Sequence, residues 1–191
     1  AKKDAAVQEK EMRIVAGKYR GRVLQEFRGM DIRPTADRVK ESVFQILTSC
    51  FQGARVLDLF AGSGALGIES LSRGAAEAVF NDSSKESLKV CRANLQKVGE
   101  SAAVYNLDYK SCLRSISGKF RLIFCDPPYR MECLAEILAL VKERGLLEEG
   151  GLVVFEGERE ESAPMGWETA DARRYGRTRV YFFRPAQGGE Q

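Results

Sequence analysis

Residues 125–130 read Cys-Asp-Pro-Pro-Tyr-Arg and follow directly on the apolar run Arg-Leu-Ile-Phe-Cys. A plain turn needs one proline or a glycine, so Asp126, Pro127, Pro128 and Tyr129 at a strand exit call for another reason. Two prolines fix φ and remove two N–H donors, while their carbonyls remain. With the Asp126 carboxylate those carbonyls make a rigid set of hydrogen-bond acceptors. Such a set matches a planar –NH2 on a nucleobase, and Tyr129 offers a face on which the base can stack. An exocyclic amino nitrogen is a poor nucleophile because its lone pair is delocalised into the ring. Accepting its two hydrogens, at Asp126 and at the Pro127 carbonyl, directs the lone pair toward an electrophile. A stiff loop with no ligand is the plainer reading of the same residues.

Gly62, Gly64 and Gly67 form G-x-G-x-x-G after one apolar run and before a helical pattern, and Asp82 follows Gly62 by twenty residues. Alone this is a dinucleotide fingerprint with Asp82 on the ribose hydroxyls, and an NAD-dependent oxidoreductase is the corresponding alternative. Asp58, four residues before Gly62, argues otherwise. An acid there repels a pyrophosphate on the helix N-terminus and suits an ammonium or sulfonium. S-adenosylmethionine carries both cations and no phosphate. Asp108, at the end of a third strand, could receive the adenine amino group or simply cap a helix. Methyl transfer from such a donor is an in-line displacement governed by positioning and electrostatics.

Alternating apolar strands and amphipathic helices must hold these residues. Strands are expected at 54–60, 76–82, 102–108, 120–126 and 150–158, with a glycine loop opening into a helix over 61–74 and helices at 83–99, 109–117 and 131–147 between them. That alternation implies a doubly wound parallel sheet. The segment 167–185 reads as two strands joined at Gly176, an antiparallel closure. Ahead of the sheet, 12–27 reads as a hairpin around Gly17–Gly21, and 33–47 as a helix capped by Thr35 or Asp37. The expected organisation is a disordered extension at 1–11, a hairpin and helix at 12–52 and a catalytic core at 53–186.

Composition narrows the chemistry. The chain has 191 residues and no histidine, which removes Ser-His-Asp, Cys-His and His-ligated metal chemistry. Five scattered cysteines without a C-x-x-C pair fit neither a disulfide framework nor a zinc site, and no metal is expected. No apolar run reaches membrane length and the start has no signal-peptide core, so the expected location is the cytoplasm. Residues 12–40 carry eight Lys/Arg against three acids, and 171–185 carry five against one. Residues 141–161 carry three against seven acids. Basic ends around an acidic middle fit a polyanionic partner, and Arg13, Lys18, Arg20 and Arg22 on the hairpin are the first candidates.

Four segments together carry a family resemblance: 12–22 (MRIVAGKYRGR), 33–41 (RPTADRVKE), 57–75 (LDLFAGSGALGIESLSRGA) and 126–129 (DPPY). In order and spacing the chain resembles the bacterial 16S rRNA (guanine(966)-N2)-methyltransferase family. The resemblance implies a Rossmann-like class I methyltransferase: a seven-stranded, mostly parallel sheet with an antiparallel last strand, preceded by an RNA-engaging β-hairpin. It implies S-adenosylmethionine as cofactor, held by Gly62, Ser63, Gly64 and Asp82, and Asp58, Phe60, Ala61 and Asp108 are the further cofactor-binding candidates of this chain. It implies catalysis by Asp126, Pro127, Pro128 and Tyr129 on 16S ribosomal RNA, within an assembling small subunit. Arg33, Pro34, Thr35 and Arg38 match its R-P-T-x-x-R segment, where Arg38 would hold the base or a phosphate. Two further alternatives are an adenine-N6 methyltransferase with the same D-P-P-Y chemistry and a non-catalytic RNA-binding module.

Overall fold

A computed structural model describes residues 11–26 and 34–188, with the side chains of 34–36 excepted. The strands are β1 (Met12–Arg13), β2 (Val23–Leu24), β3 (Arg55–Asp58), β4 (Glu77–Asn81), β5 (Val104–Tyr105), β6 (Phe120–Cys125), β7 (Leu147–Gly157), β8 (Trp167–Tyr175) and β9 (Thr178–Pro185). The helices are α1 (Pro34–Ile46), α2 (Ala65–Ser72), α3 (Lys85–Val98), α4 (Tyr109–Ser115) and α5 (Leu134–Glu143). Seven strands form one sheet in the order β5-β4-β3-β6-β7-β9-β8. The first five run parallel, β9 is antiparallel to β7, and β8 is antiparallel to β9. β1 and β2 form a separate antiparallel pair.

Side-chain alternation along the strands builds two cores, one on each face. Val56, Phe124 and Val154 point to the face covered by α1, α2, α3 and the β1–β2 hairpin. Leu57, Ile123 and Val153 point to the face covered by α4 and α5. On α1, Val39, Val43 and Phe44 are buried, as is Leu47 just after it, and the Phe44 ring stacks on Phe51 and Phe124 with centroids 5.1 and 5.7 Å away. Ile14 and Leu24 of the hairpin enter this same core, so the hairpin and α1 share it with the sheet.

Most element bounds agree with the sequence reading to within a few residues. Helix α1 starts at Pro34, which places Thr35 and Asp37 inside the helix and not at its cap. Proline suits that first position because its missing N–H has no intrahelical partner there. Strand β5 is two residues long where seven were expected. It is the sheet edge with one neighbour, and its outer hydrogen-bonding side offers nothing to extend the ladder. Residues 1–10 of the expected extension, and Arg33, lie outside the described residues.

Candidate active site

The chain leaves β3 for β4 and β5 on one side, then returns to place β6 on the other. This reversal opens a crevice at the carboxyl ends of β3 and β6, the usual ligand position in such sheets. Asp58 lies opposite Phe124 in the ladder, so the glycine loop and residues 126–129 leave the sheet side by side. The reversal therefore brings together Asp58, the loop from Phe60 to Gly64, and Asp126–Tyr129, which the sequence reading named separately.

On the β3 side, backbone bonds and acids shape the loop. Leu59 N–H donates to the Phe124 carbonyl at 3.0 Å, and Ala61 N–H to the Asn81 carbonyl at 2.8 Å. Phe60 tilts against the Tyr109 ring with centroids 5.8 Å apart. Gly62 N–H donates to Asp82 Oδ2 at 2.8 Å, while Ser84 N–H donates to Asp82 Oδ1 at 2.8 Å. Each Asp82 oxygen keeps a lone pair beyond its backbone bond. Gly64 sits at φ 84° as the N-cap of α2, a conformation that favours glycine. A Cβ at Gly67 would meet the Phe80 ring at 2.3 Å, so this third glycine lets α2 press onto β4.

Asp58 is 1% exposed, and its Oδ2 accepts the Gly67 N–H at 3.1 Å. Its carboxylate therefore anchors the first turn of α2, a task that spacing alone did not reveal. Burial pushes its pKa up to about 7, offset in part by that hydrogen bond and reinforced by Asp126 and Asp82. Asp108 is exposed and caps α4, with its two oxygens taking the Ser111 N–H at 2.9 Å and the Ser111 hydroxyl at 2.6 Å. The helix-cap alternative for Asp108 is thus realised in the fold.

On the β6 side the polar groups point outward. Asp126, Pro127, Pro128 and Tyr129 line an open pocket of about 210 Å³ with Glu156, Arg159 and Thr178 among its other walls. That is below the roughly 300–1,000 Å³ of pockets for drug-sized ligands and suits one ring system. Asp126 is open to solvent through the pocket mouth while protein crowds its other sides, and this crowding raises its pKa. Tyr129 is 67% exposed, an aromatic face left uncovered. The Pro128 carbonyl accepts the Met131 N–H at 3.0 Å and closes the turn. The acceptor set expected from both prolines is therefore reduced to Asp126 and the Pro127 carbonyl, which no N–H of the described residues occupies.

The basic residues of the first hairpin lie away from the crevice. Gly17–Arg22 is strapped to the far end of α2: Lys18 N–H donates to the Ser72 carbonyl at 2.8 Å, and Tyr19 N–H to Ser72 Oγ at 3.0 Å. Lys18 pairs with Glu100 at 2.8 Å, Arg13 with Glu11 at 2.8 Å, and Arg22 lies over the Tyr19 ring. Arg20 and Arg38 are exposed and form no ion pair among the described residues. Helix α2 has eight residues, which sets Lys18 about 12 Å from the glycine loop along its axis. Thr35 lies in the first turn of α1.

Three residues escaped the sequence reading. Buried Asn81 donates to the Leu59 and Leu107 carbonyls at 3.1 and 3.0 Å, joining the ends of three strands. Buried Asn94 donates to the Ser63 and Gln25 carbonyls, both at 2.9 Å, and joins the glycine loop to the chain after β2. A mid-helix asparagine carries no sequence signal for such a role. Glu156 did carry one: like Asp58 and Asp126, it is an acid ending an apolar strand. Among the described residues no cluster of cysteines and acids is placed to hold a metal ion, and no helix is long and apolar enough to cross a membrane.

Known proteins resemble this chain in sequence and in fold. The Conserved hypothetical protein 95 family matches residues 12–184. The chain is 41% identical over 158 residues to YlbH of Bacillus subtilis (strain 168), a protein named among rRNA methyltransferases, covering 80% of this chain and 86% of that one. It is 37% identical over 156 residues to ribosomal RNA small subunit methyltransferase D of Escherichia coli (strain K12), covering 81% of this chain and 78% of that one. The solved structure of the Escherichia coli protein YhhF superposes with a TM-score of 0.82 at 34% identity, over 93% of this chain and 99% of that one. A seven-stranded sheet with a glycine loop and D-P-P-Y at one crevice is the setting in which these likenesses fall, and the chain is a methyltransferase belonging to the Conserved hypothetical protein 95 family.

Proposed function

We propose that the protein transfers a methyl group from S-adenosylmethionine to the N2 amino group of a guanine in 16S ribosomal RNA. The observation that carries the reading is the pairing, at one crevice, of an outward acceptor set with a loop suited to a cation. Asp126, the Pro127 carbonyl and Tyr129 line a pocket sized for one base. Beside it, Asp82 borders the glycine loop and Asp58 lies buried beneath it, with no Lys or Arg between residues 58 and 67 to receive a phosphate. Gly62 has open space around it, since a Cβ there would meet no atom within 4 Å. These features fit S-adenosylmethionine: Asp82 would hold the ribose hydroxyls, Asp58 would attract the ammonium, and Phe60–Gly64 would line the methionine portion. Asp108, occupied in capping α4, would offer the adenine amino group only the lone pairs left over.

When bound, the cofactor supplies a methyl group activated by a sulfonium. The chain's residues do the rest. Tyr129 stacks the base, and base–aromatic stacking contributes about 1–3 kcal/mol. Asp126 and the Pro127 carbonyl accept the two amino hydrogens, so the nitrogen lone pair faces the glycine loop. As the N–C bond forms the nitrogen becomes acidic, and its proton passes to Asp126 and then to solvent at the pocket mouth. This route needs no histidine. The RNA would be gripped beside the pocket by Arg177 and Arg179 at the β8–β9 turn, with Arg13, Lys18, Arg20, Arg22 and Arg38 as outer contacts. Arg33 and Thr35 complete the set by family likeness.

The relatives named for the ribosomal small subunit support rRNA as the substrate. The test is mass spectrometry of methylated nucleosides in 16S rRNA from cells with and without the protein, followed by mapping of the base. N2-methylguanine lost with the protein is the expected result; loss of N6-methyladenine alone would overturn the guanine reading. With purified small subunits, Asp126→Ala should lower kcat by about 10²–10³, like the loss of one preorganised oxyanion donor. Near-normal turnover in that variant would remove Asp126 from the chemistry.

A further inference from the structure

The acidic stretch 141–161 contains one member that the reaction as described leaves unused. In the ladder between β6 and β7 the last pair is Cys125 and Phe155, and both side chains lie in the core under α4 and α5. One residue further, Asp126 and Glu156 emerge on the opposite face, side by side on neighbouring strands about 4.8 Å apart. Both line the same pocket with Tyr129. Among the described residues neither carboxyl group is engaged in a hydrogen bond or an ion pair. Two adjacent acids with nothing between them are poorly placed for stability and well placed for a partner with adjacent donors.

Guanine has such an edge: N1–H lies next to the N2 amino group. Adenine has an amino group next to N1, which carries a lone pair. An enzyme that takes a base out of its stack reads this edge through hydrogen bonds, and an ionised carboxylate can only accept them. We propose that Glu156 selects guanine by accepting its N1–H while Asp126 and the Pro127 carbonyl hold the 2-amino group. Burial raises the Glu156 pKa above the ordinary carboxylate range and the neighbouring Asp126 raises it further, and two base N–H donors held against the pair would favour its ionised form. The proposal rests on the guanine-N2 reading above.

The experiment uses small subunits reconstituted with 16S rRNA that carries either guanine or 2-aminopurine at the mapped target. 2-Aminopurine keeps the 2-amino group that accepts the methyl, but its N1 has a lone pair and no hydrogen. The wild-type protein should favour guanine by roughly 10- to 100-fold in kcat/KM, the discrimination of a well-made base contact. Glu156→Gln, which can donate to that lone pair, should bring the ratio near one or reverse it. Glu156→Ala should lower the guanine rate and leave the 2-aminopurine rate unchanged. Comparing ratios across variants cancels the loss of O6 in the analogue. An unaltered guanine preference in both variants, with unchanged melting temperatures, would overturn the role of Glu156 and leave the guanine reading intact. Absence of any methyl on guanine with wild-type protein would overturn both.

Discussion

The molecule has two arginine-bearing hairpins, and they serve opposite ends of the sheet. The β1–β2 hairpin turns at Gly17–Gly21 beside Ser72, at the end of α2 remote from the glycine loop. Its backbone is tied down: Val15 N–H donates to both oxygens of Glu69 at 3.0 and 3.2 Å, and Ser72 Oγ donates to the Ala16 carbonyl at 2.6 Å. Its charges are partly spent on Glu100 and Tyr19. The β8–β9 hairpin turns at Gly176 where β7 ends, because β9 runs antiparallel to β7 and pairs Arg179 with Gly157. Thr178 at its tip is part of the pocket wall, and Tyr175 shares a short hydrogen bond with Ser42 of α1. Arg177 and Arg179 have no ion-pair partner among the described residues. Equal basicity in sequence thus hides unequal position: one hairpin covers a core, and the other stands at the rim of the pocket.

The largest effect should come from cutting the strap of the first hairpin. Glu69 is fully buried, binds Val15 N–H and pairs with Arg73 at 3.4 Å. Glu69→Ala leaves Arg73 without its partner, and breaking a buried pair costs about 3–5 kcal/mol. A melting-temperature drop of roughly 10 °C should follow, with RNA affinity of the folded fraction little altered. A melting curve like that of the wild type would mean the hairpin is not part of the structural frame.

A smaller effect, on a different observable, is expected at the second hairpin. Replacing Arg177 and Arg179 with Ala should weaken small-subunit binding on the order of tenfold near 0.1 M salt. The slope of log affinity against log salt should become shallower by about 0.7–0.9 for each phosphate that is no longer neutralised. The melting temperature should stay close to that of the wild type, since exposed positions contribute within about 0.5 kcal/mol. An unchanged salt slope would move the RNA path away from the β8–β9 turn.

Arg20→Ala should have the smallest effect. Arg20 is exposed and forms no ion pair among the described residues, but it lies on the hairpin that turns away from the crevice. Binding measured at several salt concentrations should change by less than about twofold, with stability within about 0.5 kcal/mol. A weakening as large as that of the Arg177 and Arg179 double variant would erase the contrast between the hairpins and make the first one a principal RNA-binding element.

Much of this protein was legible in its sequence, for physical reasons of short range. Strand and helix periodicity, glycines at a strand-to-helix turn and two prolines behind an acid are local constraints, and they located β3, β6, the loop and D-P-P-Y. The structural roles of Asp58 and Asp82 were not local: the bonds to Gly67 and Gly62 join residues nine and twenty positions apart. Asn94 reaches Gln25 across 69 positions, and nothing in a mid-helix asparagine announces that. The end of the sheet to which each basic hairpin belongs was likewise undecided, since charge and turn signals say nothing about strand order. The pairing of Asp126 with Glu156 depends on the register of β6 against β7, a tertiary quantity. The sequence by itself determined the elements and the chemical vocabulary of the crevice, because these follow from residue type and near-neighbour spacing. Only the tertiary structure decided which acids hold backbone, which face the pocket, and which arginines stand beside it, because those depend on how distant strands are ordered and aligned.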